Sequence, residues 1–249
     1  MNLAKPIDIM RKREEMIAEL IEIVSKESNV FEEPPITTIG GYALRAFVPF
    51  SRYTRDCDFV LPKAEKWTID SIAEWFPNHL KVETLEKRET YGYLRLIAPL
   101  KLDNRSANLA IDFMEGEIRG RTDEQVITID KRFITRRRRV SLRIGTRDIK
   151  MFVPDYADYF ILKVVSGRPS DVRDIAALVW NNGIPKDLET RVEEIVARPV
   201  TFREKLIERV VPDISEKRFI ESWRGTFITT AFDEKAREDV LRRIRDILE

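Results

Sequence analysis

Two periodicities divide this chain. Between residues 81 and 153 apolar and polar residues alternate in short runs. From Asp155 onward they recur at intervals of three and four. Alternation sends successive side chains to opposite faces of a strand, whereas the longer spacing lines up one face of a helix. "KVETLEK", "YGYLRLIAPL", "ANLAIDFMEG" and "VITID" therefore read as strands, and "RRRVSLRIGTRDIKMFVP" as a hairpin with Gly145 at its turn. Behind the boundary come the helices "DYADYFILKVVSG", ending at Gly167, and "PSDVRDIAALVWNNG", opening on Pro169 with a Ser170 or Asp171 cap and ending at Gly183. "KDLETRVEEIVAR", "TFREKLIERVV", "ISEKRFIESWRGTFI" and "DEKAREDVLRRIRDILE" follow in the same style. The N-terminal part mixes both types. A helix is predicted over residues 6–28 and a stop at Pro34-Pro35. A strand over 36–39 then leads into a Gly40-Gly41 turn. The short helix "YALRAFV" runs into Pro49, and the strand "CDFVL" precedes a helix over 68–78 capped by Thr68 or Asp70. The expectation is an α+β fold. A mixed β-sheet core with flanking helices occupies residues 1–154, and an all-α C-terminal region occupies 155–249.

Composition narrows the chemistry. With 249 residues the chain can bury a core as one large domain or two smaller ones. A single cysteine, Cys57, allows no intrachain disulfide and suits a reducing, cytoplasmic setting. A single histidine, His79, removes His-rich zinc sites and His-based triads. A metal here would be held by oxygen, which favours Mg²⁺ or Mn²⁺. The net charge of +1 selects no partner. No run approaches the roughly 18 apolar residues of a membrane span, and the charged N-terminus lacks the apolar segment of a signal peptide, so no membrane partner is expected. Gln125 is the only glutamine in a chain that is 35% charged, which fits a thermophile.

Three groups of residues carry possible chemistry. Asp56 and Asp58 alternate on one strand and so share a face, where two carboxylates are costly without a cation between them. Asp112 is a lone charge in the apolar strand "LAIDFME". Beside the "CDFVL" strand it would complete a triad able to hold one or two metal ions. The competing reading leaves Asp56 and Asp58 in solvent and pairs Asp112 with an arginine. Gly40 and Gly41, between strand and helix, either form a tight turn or let the backbone approach a phosphate beside free N–H groups. Lys163 has apolar neighbours on both sides and needs an acid or a phosphate partner. Asp171 and Asp174 are one helical turn apart, so a structural ion pair is the plain alternative. Finally, residues 131–150 hold nine Lys or Arg against Asp148 alone. Read as strand, Arg136 and Arg138 face one side and Arg137 and Arg139 the other, to bind triphosphate or RNA backbone or to protect a sheet edge.

Taken together, the order strand, Gly-Gly, short helix, Asp-x-Asp, distant Asp resembles the nucleotidyltransferase superfamily related to DNA polymerase beta. "GGYALRAFVPFSRYTRDCDF" is similar to its abortive-infection type IV toxin branch through Gly40, Gly41, Ala43, Leu44, Arg52, Thr54, Asp56, Asp58 and Phe59. "LKVVSGRPSDVRDIAAL" is similar to that branch's later motif through Lys163, Arg168, Asp171 and Asp174. The likeness covers residues 36–180 and departs at Tyr42 and Ser170, where the branch carries a hydroxyl and an arginine. It implies a Mg²⁺- or Mn²⁺-dependent transfer of a nucleoside monophosphate from a nucleoside triphosphate to a hydroxyl of tRNA or of a protein, in a toxin–antitoxin setting. In that scheme Asp56, Asp58 and Asp112 bind metal. Gly40, Gly41, Arg52, Arg55 and Lys163 bind nucleotide, and Lys163 and Asp174 belong to the catalytic set. Two other readings stay open: an inactive nucleotide- or RNA-binding module of the same fold, and a protein that works through a complex with a cognate antitoxin, using exposed Trp180 or Trp223.

Overall fold

The computed structural model describes residues 6–25, 36–50, 52–63, 68–102, 105–120, 122 and 124–249. The predicted Pro34-Pro35 stop and the end of the first helix at 26–28 lie outside these. The chain divides into two compact units. One comprises Met1–Ala46, Tyr53–Ile118 and Ile129–Pro154, and the other Phe47–Arg52, Arg119–Thr128 and Asp155–Glu249. Pro154 and Asp155 fall in different units, and Phe47–Arg52 and Arg119–Thr128 group with the helices.

The first unit is built on a mixed sheet of β1 (Thr37–Ile39), β2 (Asp56–Leu61), β3 (Glu83–Arg88), β4 (Tyr93–Leu102) and β5 (Arg105–Glu115), in the order β1-β2-β5-β4-β3. Only the central β2–β5 pair is parallel. The alternation seen in the sequence sorts the two faces. Cys57, Phe59, Leu94, Leu96, Ala98, Leu109, Ile111 and Phe113 are buried on one face. Helices α1 (Pro6–Ser25) and α3 (Ile69–His79) cover that face. Phe76 of α3 packs 5.1 Å from the Phe113 ring, which lies 5.1 Å from Phe59. Thr68 caps α3 by accepting from Ser71 N–H, as expected. The opposite face carries the acids.

Helix α2 (Gly40–Leu44) starts on the glycines and stops short of the predicted 42–48. After α4 (Lys131–Arg136) comes the hairpin of β6 (Arg138–Ile144) and β7 (Arg147–Val153), turning at Gly145-Thr146 with Gly145 at φ +59°. Ile149, Met151 and Val153 form its buried side. Glu14 of α1 ties the turn down by accepting from Gly145 N–H, and it also pairs with Arg45.

The second unit is helical: α5 (Tyr156–Ser166), α6 (Pro169–Asn182), α7 (Leu188–Ile195), α8 (Val200–Lys205), α9 (Val211–Ser215), α10 (Phe219–Phe227) and α11 (Glu234–Asp246). Leu206–Val210 forms a π turn between α8 and α9, where Pro212 cannot donate the N–H that the α ladder requires. Gly167 ends α5 as predicted. The cap of α6 differs from expectation. Arg168 is the N-cap, and Asp171 sits at the third position, accepting from Arg168 N–H.

Candidate active site

Asp56, Asp58 and Asp112 share the sheet face opposite α1 and α3, because β2 and β5 are parallel and in register. Asp58 stands opposite Asp112, and Asp56 opposite Ala110. Asp56 is exposed, Asp58 half-buried and Asp112 6% exposed. Continuing across the sheet, Asp112 faces Arg95 on β4, and Arg95 faces Glu86 on β3. One cross-strand row thus reads Asp58, Asp112, Arg95, Glu86.

Within that row Asp112 is fully engaged. Arg95 donates from Nε to Oδ1 and from Nη2 to Oδ2, each at 2.7 Å, and the Tyr93 hydroxyl donates to Oδ1 at 3.2 Å. Burial, and then the adjacent Asp112 charge, push the Tyr93 phenol up, so it remains a donor. Among the described residues no three His, Cys, Asp or Glu side chains are grouped to hold a metal ion. The donor chemistry of Asp56 and Asp58 fits an oxygen-ligated divalent ion. Asp112, with both oxygens committed to Arg95, does not join them in this geometry. Sequence reasoning missed Arg95. The signal was present in "YGYLRLIAP", where Tyr93 and Arg95 are the polar-phase residues of an otherwise apolar strand.

The two glycines meet this row at one end. Ile39 ends β1 opposite Asp58, which brings the next residue onto its carboxylate. Gly40 has φ +68°, and a Cβ there would fall 2.0 Å from Asp58 Oδ2. A Cβ on Gly41 would fall 3.0 Å from Thr54 Cβ. Bare backbone is therefore a requirement at Gly40. Arg55 is exposed just ahead of β2. Cys57, on the opposite face, has its thiol pushed well up by burial and by the three aspartates, so it stays protonated.

Lys163, Asp174 and Arg52 form a separate group inside the helical unit. Lys163 Nζ lies 2.8 Å from both Asp171 Oδ1 and Asp174 Oδ2. Arg52 clamps Asp174 through two bonds of 2.7 and 2.8 Å, and Ser166 donates to Asp171 at 2.7 Å. Lys163 is 4% exposed and Asp174 not at all. Burial disfavours the Lys163 ammonium, but Asp171 and Asp174 outweigh it and hold its pKa well above the ordinary 10.5. Burial likewise raises the Asp171 carboxyl, yet Lys163 and Ser166 keep it below 3.8. This is the geometry of the ion-pair alternative.

The basic cluster is corrected in part. Arg136 is the last residue of α4 and Arg137 its C-cap, so the strand alternation applies only to Arg138 and Arg139. Arg137 lies 4.1 Å and Arg139 5.9 Å from the Phe152 ring centroid. By register Arg139, Ser141 and Arg143 share a hairpin face with Phe152, Lys150 and Asp148. A second correction concerns the tryptophans. Trp223 is wholly buried, donating to Arg173 C=O at 3.0 Å, and Trp180 packs on Phe50, Trp223 and Phe232. Trp223 belongs to the helical core, and Trp180 is half-buried against it.

No family model and no curated protein matches this chain. Among solved structures, JHP933 from Helicobacter pylori superimposes with a TM-score of 0.50 at 11% identity, over 99% of this chain and 94% of that one. A crystal structure named "putative nucleotidyltransferase from H. pylori" gives 0.47 at 11% identity, over 98% and 96%. The likeness to JHP933 is one of fold. No helix among the described residues is long and apolar enough to cross a membrane.

Proposed function

We propose that this protein is a Mg²⁺- or Mn²⁺-dependent nucleotidyltransferase that moves a nucleoside monophosphate from a nucleoside triphosphate to a hydroxyl acceptor on tRNA or on a protein, as part of a toxin–antitoxin pair. The observation that carries this reading is the register of β2 against β5. In that register Asp56, Asp58 and Asp112 share one sheet face, and the bare backbone of Gly40 lies against Asp58.

In this reading Asp56 and Asp58 hold the divalent ion, whose charge offsets that of the triphosphate. Gly40 and Gly41 present backbone without side chains, leaving room for phosphate oxygens beside Asp58. Arg55 supplies positive charge next to the departing pyrophosphate. Asp112 orients Arg95 and, through it, the polar row of the sheet. Lys163 and Asp174, deep in their ion network, act by position. Together with Arg52 they fix Phe47–Arg52, the stretch that leads into Arg55 and β2. The hairpin face with Arg139, Arg143, Lys150 and the Arg137-covered Phe152 suits an RNA acceptor through phosphate contacts and base stacking, and Arg136 and Arg138 add charge nearby.

The test is transfer from each labelled nucleoside triphosphate to total tRNA and to cellular protein. Label that requires Mg²⁺ and disappears in Asp58→Ala is expected. No labelling with any of the four, or labelling unchanged in Asp58→Ala, rejects the reading. One observation favours the alternative of an inactive binding module: Asp112 is held by Arg95. Metal-independent nucleotide binding that survives loss of both Asp56 and Asp58 would select it.

A further inference from the structure

We propose that Arg95 takes the place of a second divalent ion, so that the acidic sheet face holds one ion, at Asp56 and Asp58, rather than two. This rests on the metal-dependent reading above and concerns how many ions that site accepts.

The argument starts from register. Asp112 lies between Asp58 on one neighbouring strand and Arg95 on the other, each about 4.8 Å away across the sheet. Its carboxylate turns toward Arg95 and not toward Asp58, and three donors use it: Arg95 Nε, Arg95 Nη2 and the Tyr93 hydroxyl. The Arg95 fork matches a carboxylate in two parallel bonds and carries its charge at every working pH, so the pair does not dissolve by deprotonation. The Asp112 side chain is 9% exposed and that of Arg95 35%. Exchange of the guanidinium for a hydrated ion would therefore take from a buried carboxylate its two-bond partner. Glu86, the remaining acid in the row, accepts from Arg88 Nε at 2.8 Å and does not draw Arg95 away. Arg95 is then a positioning residue. It holds Asp112 out of the ligand set and gives the site a fixed cation.

The test is Mn²⁺ titration of the full-length chain, reading free Mn²⁺ by electron paramagnetic resonance. The wild type is expected to bind one ion, lost in Asp58→Asn. Arg95→Gln is expected to bind two, and the double variant Arg95→Gln, Asp112→Asn one again. Circular dichroism confirms that each variant is folded. Should Arg95→Gln not fold, Arg95→Lys keeps the charge but loses the fork, and a second, weaker ion is expected there. Two ions in the wild type overturn the proposal while leaving the metal-dependent reading intact. One ion in both the wild type and every folded Arg95 variant also overturns it. No ion in the wild type rejects the metal-dependent reading itself.

Discussion

Gly40 and Lys163 are the two positions where a single atom group decides the most. At Gly40 an alanine meets two penalties. A positive φ costs an L-residue about 1–2 kcal/mol, and the added Cβ would overlap the Asp58 carboxylate, 2.0 Å away. Gly40→Ala is predicted to lose about 2 kcal/mol or more in urea unfolding. In an Asp58→Ala background, where that carboxylate is gone, the cost should fall by about 1 kcal/mol. A cost that does not change with residue 58 would show that the glycine serves only the turn. Lys163 offers a pH test. Replacing it by methionine leaves Asp171 and Asp174 buried with one cation fewer, a loss of about 3–5 kcal/mol at neutral pH. In the wild type the Asp171 carboxyl lies below 3.8, so its contribution is present above that value and is lost as the pH falls through the lower folded value. Lys163, held above 10.5, contributes below that pH, and its share is lost as the pH rises through the higher folded value. In Lys163→Met the Asp171 carboxyl is buried without its ammonium and moves up. The stability gap to wild type should then narrow as the pH drops toward 4. A gap that stays constant between pH 7 and 4 would contradict this assignment.

At the scale of elements the decisive piece is Phe47–Arg52, a connection held like a core strand. The Phe50 ring lies 5.1–5.9 Å from those of Trp180, Trp223 and Phe227. Phe47 stacks on Tyr159 at 4.9 Å, and its carbonyl accepts from Asn181 and Asn182. Phe50 is only half-buried, so Phe50→Ala is predicted to cost about 2 kcal/mol, below the 3–5 of a full core position. Arg52→Ala should cost about 3 kcal/mol, because Asp174 has no solvent exposure. Thermal unfolding of both variants checks the order. A larger loss in Phe50→Ala would mean that ring packing and not charge pins the segment. This segment also shows where the sequence is legible and where it is not. Period alone located β2, β4, β5, the hairpin and the C-terminal helices, because each buries one face. It put Asp56 and Asp58 on one face and raised both partners for Asp112, a metal and an arginine. The arginine's identity needed the β4–β5 register, a long-range quantity that local spacing does not contain. The same limit hid the Arg52–Asp174 clamp, whose partners are 122 residues apart. Arg136 was misplaced for a local reason: Asp130 accepts from Phe133 N–H and caps a helix that carries Arg136 out of the strand.

At the scale of the whole molecule, the helical unit is not the contiguous stretch that its periodicity suggests. It recruits Phe47–Arg52 and Arg119–Thr128 from the N-terminal half. The second of these bridges Ile127 to Val196 and pairs Glu124 with Arg198. A fragment of residues 155–249 would keep all seven helices but lose Phe50 from the Trp180–Trp223 cluster and Arg52 from Asp174. Summed as independent sites, those two losses approach about 5 kcal/mol, which equals the entire stability of many small domains. The fragment is therefore predicted to retain far-ultraviolet helical signal while melting broadly, binding a hydrophobic dye and losing its near-ultraviolet tryptophan bands. The full chain should melt sharply with those bands intact. Within the fragment, Asp174→Asn should then stabilise, because it removes the buried charge that Arg52 no longer shares. In the full chain the same change should destabilise. If the fragment instead melts cooperatively within a few degrees of the full chain, the recruited segments are bystanders, and the boundary at residue 155 is the true limit of the helical fold.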